Sequence, residues 1–113
     1  MPDSLDLVRG TLDLFVLKTL SWGPMHGLAI VRWIERTSES HLQVEEGALY
    51  PALHRMELKG WLGADWGITD QGRRAKFYRL TRQGRAQLAG QTSTWERYVR
   101  AATLILSARE ARA

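Results

Sequence analysis

The residues with the clearest chemical potential are a run of cations. Arg73, Arg74, Lys76, Arg79, Arg82 and Arg85 fall between Asp70 and Glu96, an interval that holds no acidic residue. A solvated face ordinarily mixes its signs, so a one-signed stretch next to glycine suggests a surface built for an anion. A merely soluble basic patch is the plainer reading of the same residues. Other groupings carry less. His54 and Glu57 lie one turn apart, but a metal ion needs a further ligand at suitable spacing, and none follows. Glu45 and Glu46 resemble an acid–base pair, yet carboxylates near a helix start are ordinary partners of its dipole. The chain has no cysteine, which excludes disulfides, thiolate metal sites and cysteine nucleophiles. No nucleophile–base pair or phosphate loop stands out, so neither an enzyme nor a cofactor nor a metal is expected.

The whole chain sets the bounds. Its 113 residues suffice for one core, and its 44% hydrophobic and 25% charged residues are the proportions of an ordinary globular protein. The formal net charge is +4. No apolar run is long enough to cross a bilayer and no signal-peptide pattern opens the chain. The expectation is a cytoplasmic protein without a membrane partner.

The elements that must position the cations follow from periodicity. Residues 5–21 read as a helix whose face carries Val8, Leu12, Phe15, Val16 and Leu20, ended by Trp22-Gly23-Pro24. A second helix, about 26–37, is expected to bury Leu28, Ile30, Val31 and Ile34. A third runs from near Ala48 to a stop at Gly60. The period then changes to two. Leu62, Ala64 and Trp66 alternate in one strand, and Lys76, Tyr78 and Leu80 in another. Asp70 and Gly72 supply the turn between them, with Arg73 and Arg74 at its tip. Three helices followed by a hairpin is the order of a winged helix, a mostly α fold with a small β-hairpin. Thr81 then looks like the N-cap of a last helix about 40 Å long. Leu88, Thr92, Trp95, Val99, Ala102 and Leu106 form a heptad seam on it, with Tyr98 and Ile105 widening the stripe. Such a stripe needs a partner, most simply a second copy. The expected division is 1–80 for a winged-helix DNA-binding domain and 81–113 for a C-terminal dimerisation helix.

The third helix contains an apparent fault. Leu49, Leu53 and Met56 commit it to the core, yet Pro51 sits among them, and an interior proline costs about 3 kcal/mol. A start near Ala48 removes the problem, because the first N–H groups of a helix lack partners anyway, whereas an earlier start loses one bond and bends the end. The first turn then becomes a contact surface. Gly47 and Ala48 allow close approach to a phosphate, and Tyr50, His54 and, at the edge, Arg55 look outward. With Pro51, the wing residues Arg73, Arg74 and Lys76, and His26 at the head of the second helix, they make up the expected DNA-binding set. His26 serves equally well as a side chain satisfying its own turn.

Three stretches, "GPMHGLAI" at 23–30, "GALYPALHRMELKGWL" at 47–62 and "GRRAKFYRLTRQGRAQL" at 72–88, resemble the PadR-type transcriptional regulators in order and spacing. The resemblance covers most of the chain. It implies a dimeric winged helix of the short form, with one C-terminal dimerisation helix, acting as a repressor released by a small molecule. Three positions depart from the family's habit: Ala48 stands for a threonine or serine, Leu28 for a common tyrosine, and Trp61 for an aliphatic residue. The effector-binding candidates are Trp95 and Val99 on the seam, where small Thr92 and Ala102 leave room for a planar aromatic molecule beside a flat indole. The expected partners are therefore double-stranded DNA carrying an inverted repeat, a second copy of the chain, and such an effector. The alternative is a winged-helix protein-interaction module that binds no specific DNA, since fold does not fix function.

Overall fold

The structure, a computed structural model, describes residues 10–111. The first helix, α1 (Thr11–Leu20), buries Leu14, Val16, Leu17 and Leu20. The part of this helix expected over residues 5–9, with Val8, lies outside the described residues. A two-residue strand, β1 (Met25–His26), leads directly into α2 (Gly27–Thr37). Ile30, Val31 and Ile34 of α2 enter the core, but Leu28, expected beside them, is 43% exposed. At 100° per residue it lies about 110° round the helix from the centre of that stripe, too far to share it.

The turn after α2 is closed by side chains. Glu39 and Ser40 take left-handed φ values of 53° and 64°. The Ser38 hydroxyl accepts from the Leu42 N–H at 3.1 Å, and the Glu35 carboxylate accepts from the Val44 N–H at 3.3 Å. Val44 is thereby held in the core ahead of α3 (Glu46–Leu58). This helix starts two residues earlier than the sequence suggested, so Pro51 is inside it. Its ring removes the donor that would serve the carbonyl of Gly47, four residues before. Gly47 is exposed, where solvent can take that place. Leu49, Ala52, Leu53 and Met56 are all buried, as the period predicts. At the far end Gly60, at φ 80°, stops the helix. The Trp61 N–H donates to the Met56 carbonyl and the Gly60 N–H to that of Glu57, both at 3.0 Å, which is a Schellman cap.

Strands β2 (Leu62–Ile68) and β3 (Arg74–Leu80) pair antiparallel from Leu62↔Leu80 to Ile68↔Arg74. Arg74 therefore belongs to the strand, and of the two arginines expected at the tip only Arg73 is in the loop. β1 adds to the other edge of β3, with Met25 opposite Tyr78, giving the sheet order β1-β3-β2. The hairpin is thus part of a three-stranded sheet. A two-residue strand is too short to show a period, which is why the sequence hid it. The last helix, α4 (Arg82–Leu106), ends short of the expected residue 109. Thr81 caps it as expected, accepting from the Gly84 N–H at 3.0 Å while its hydroxyl donates to the Gly60 carbonyl at 2.6 Å. Among the described residues, no helix is long and apolar enough to cross a membrane.

The start of α4 passes so close to the end of α3 that a Cβ on Gly84 would collide with the Trp61 carbonyl oxygen. Gly90, in the same helix, has nothing within 4 Å of such a Cβ. Glycine to alanine in a helix ordinarily gains about 0.5–1 kcal/mol. Gly90→Ala should show that gain, while Gly84→Ala should lose about 1–3 kcal/mol, because backbone gives way less easily than a side chain. Urea unfolding of both variants checks the opposite signs.

Candidate nucleic-acid interface

α3 is divided lengthwise. Its buried side is fixed by Leu49, Leu53 and Met56, so Gly47, Ala48, Tyr50, Pro51, His54 and Arg55 are exposed together on the other. Tyr50 is 45% exposed, and its ring lies against the first residue of α2. A Cβ on Gly27 would sit 2.6 Å from the Tyr50 hydroxyl. Glycine at that position is what allows the two helices to meet here. His26, the N-cap of α2, makes no side-chain capping bond, so the tyrosine hydroxyl stands beside a helix start whose first N–H groups lack helical partners. That combination suits an anionic oxygen.

Two of the expected DNA-facing cations are engaged within the fold. Arg55 donates to the carboxylate of Asp13, joining α3 to α1. Lys76 donates to Glu57 at 2.9 Å, joining β3 to α3, and that bond is the main cause of its raised pKa. It also removes Glu57 from any metal site with His54. Among the described residues there is no group of three His, Cys, Asp or Glu side chains that could hold a metal ion. Sequence spacing gave no sign of the Arg55–Asp13 pair, whose members are 42 residues apart.

The wing presents the rest. Its turn is closed by the Thr69 N–H donating to the Arg73 carbonyl at 2.8 Å and the Arg73 N–H donating to the Thr69 hydroxyl at 3.1 Å. Arg73 itself is exposed. Arg74 lies 4.8 Å from the centre of the Trp66 ring, and both are exposed. This cation–π contact holds the guanidinium extended while leaving its charge in solvent. His26 is half-buried with its ring edge-on to Phe77 at 5.4 Å, so it stands in the sheet and not on the outer face of α3.

On α4, Leu88 packs against the core, while Thr92, Trp95 and Ala102 are half-buried by the chain itself. Val99, Ile105 and Leu106 are exposed, as is Tyr98. Trp95 and Tyr98 stack at 6.3 Å and line a groove of about 730 Å³ between α4 and α1. Its small residues are Gly10, Ala86 and Gly90. Thr92, Val99 and Ala102, expected beside the ligand, are not in its wall. The sequence reading missed α1 as the opposite wall because only Trp95 announced itself as a platform.

The sequence pattern of the transcriptional regulator PadR-like family matches residues 16–90. A transcriptional regulator of Mycobacterium tuberculosis is 35% identical over 81 residues, which is 71% of this chain and 71% of that protein. Among solved structures, a transcriptional regulator from Clostridium thermocellum superimposes with a TM-score of 0.79 at 25% identity, covering 88% of this chain and 96% of that one. A PadR family transcriptional regulator from Eggerthella lenta gives 0.77 at 28% identity, covering 89% and 86%. These relatives are regulators and not enzymes, in agreement with the absence of catalytic groupings in the sequence.

Tyr78, buried under the wing beside Lys76, ties this surface to pH. Burial raises its pKa above the usual 10.0, and Lys76 is raised above 10.5 by Glu57. A group with a raised folded pKa adds stability that is complete below its unfolded value and lost as pH climbs through the folded one. Both groups act in the same direction. Unfolding free energy should therefore fall above about pH 10, and Tyr78→Phe should flatten that fall. Urea titrations in the neutral and alkaline ranges measure it.

Proposed function

The chain belongs to the PadR-like family and is a transcriptional regulator, and we propose that it is a homodimeric, DNA-binding repressor. The observation that carries this reading is the divided helix α3. One side is locked in the core and the other is offered to solvent beside an arginine-bearing wing. In the proposed complex the exposed side enters the major groove, with Tyr50 and the start of α2 on a phosphate. Arg73 and Arg74 lie along the backbone or in the adjoining minor groove. Arg55 and Lys76 act chiefly as struts, since each is already paired with a carboxylate.

The second half of the reading is assembly. Val99, Ile105 and Leu106 are exposed among the described residues, and burying such side chains stabilises by about 1.5–3 kcal/mol each. A second α4 packed along the seam from Leu88 to Leu106 supplies that cover and sets two copies of α3 against an inverted repeat. The groove beside Trp95 and Tyr98 is the proposed effector site. Among the described residues its wall has no charged side chain, which suits an uncharged planar aromatic molecule. Such a ligand, by parting α1 from α4, changes the separation of the two recognition helices and lowers operator affinity.

Operator affinity should fall with salt along a log–log slope of about −0.9 per phosphate neutralised. Replacing Arg73 and Arg74 by alanine should make that slope shallower. An unchanged slope takes the wing out of the interface, and a wild-type protein that binds no DNA at low salt favours an interaction module. Sedimentation tests the assembly: the wild type should run as a dimer and Val99→Glu as a folded monomer. A monomeric wild type sinks the dimer.

A further inference from the structure

The outer face of α3 has a centre and two borders. At 100° per residue, Gly47, Pro51, His54 and Leu58 fall within about 60° of one another and form the central strip. Ala48 and Arg55 border it on one side and Tyr50 on the other. All of these residues are exposed. No charge lies in the strip itself. Arg55, at its edge, is paired with Asp13, and Glu57, off the strip, is paired with Lys76. His54 is the one member of the strip whose side chain forms hydrogen bonds, and that side chain has no partner among the described residues. What α3 offers outward is therefore apolar surface and one imidazole.

We propose that this face reads sequence through two kinds of contact: Ala48 and Pro51 on the 5-methyl groups of thymines, and an N–H of His54 on N7 of a purine. The inference rests on the DNA-binding function proposed above and adds which bases are read. A strip without a free cation has nothing to offer a phosphate, so its contacts are with the base edges. The major groove presents one apolar group, the thymine methyl, among ring nitrogens, carbonyl oxygens and amino groups. Against those polar edges the Ala48 methyl and the Pro51 ring displace water without replacing its hydrogen bonds, which is unfavourable. Against a thymine methyl they bury apolar surface on both sides. A neutral imidazole carries one N–H donor. Adenine and guanine both present N7 as an acceptor in the major groove, so this donor selects a purine without choosing between the two. His54 lies about 4.5 Å further along the helix than Pro51. Base pairs are about 3.4 Å apart, which puts the purine within a step or two of the thymines.

The probe is the duplex site that the full-length protein selects from a random pool. Each thymidine is replaced in turn by deoxyuridine, and each purine by its 7-deaza analogue. Loss of a contacted methyl should raise the Kd about fourfold, the equivalent of one methyl group returned to water. Loss of a contacted N7 should raise it about fivefold, the equivalent of one neutral hydrogen bond. Variants tie each base to its side chain. In Ala48→Gly, and separately in Pro51→Ala, the deoxyuridine effect should shrink at one thymine. In His54→Ala the 7-deaza duplex should bind like the ordinary one. Tyr50→Phe should weaken all of these duplexes alike and leave the differences between them in place. Thermal melts confirm that each variant is folded. A selected site indifferent to every deoxyuridine and every 7-deaza purine overturns the inference and leaves the DNA-binding function standing. So do methyl effects that persist in full in both Ala48→Gly and Pro51→Ala, or an N7 effect that persists in His54→Ala. If the protein selects no site at all, the DNA-binding reading fails and this inference falls with it.

Discussion

Thr81 joins the two halves of the molecule through both its side chain and its backbone. Its hydroxyl donates to the Gly60 carbonyl and accepts from the Gly84 N–H, and its own N–H donates to the Trp61 carbonyl at 3.1 Å. The end of α3, the start of β2, the end of β3 and the start of α4 all meet at this one residue. Gly84 lets the two backbones touch, since no side chain fits between it and Trp61. The consequence is geometric. The direction of α4 is fixed relative to α3 through short, half-buried polar contacts, not through a linker. A change in how α4 packs must therefore move α3.

Charge is distributed to the same end. The one-signed run from Arg73 to Arg85 looks uniform in sequence, but the fold assigns its members different tasks. Lys76 reaches Glu57 and Arg79 reaches Asp65, so each spends its charge on holding the wing. Such half-exposed pairs contribute little stability, typically under about 1 kcal/mol. Their value here is positional: Lys76–Glu57 fixes the hairpin relative to α3, and Arg79–Asp65 links its two strands. Arg73, and Arg74 on its Trp66 platform, keep their charge available. The Arg55–Asp13 pair extends the same logic to α1, which is also one wall of the groove beside Trp95. In the proposed mechanism a ligand in that groove would bear on α1, whose Asp13 carboxylate holds α3.

Much of this was legible in the sequence where a periodic signal was long enough. Leu49, Leu53 and Met56 marked the seat of α3, the alternation at Leu62–Trp66 and Lys76–Leu80 marked the hairpin, and Thr81 marked the cap. What was not legible depends on contacts distant in sequence or on elements too short to repeat. Met25 and His26 form a strand only because Tyr78 and Phe77 are there to pair with them. Leu28 has the composition of a core residue but the wrong angle round its helix. Arg55 and Lys76 read as free cations because their acidic partners lie on other elements. Pro51 was the informative anomaly, and of its two readings the earlier start with one lost bond is the one found. It is tolerated not because α3 starts late, but because the bond it removes faces solvent at Gly47.

The central claim is that α4 and the Thr81 junction hold two copies of α3 at a spacing that matches DNA. Hydroxyl-radical footprinting on sites selected from a random duplex pool tests it most directly. The account predicts a shared inverted-repeat motif with two protected patches on one face of the duplex, their centres about 34 Å apart. A pool that yields no common motif, or a single protected patch at saturating protein, would contradict it.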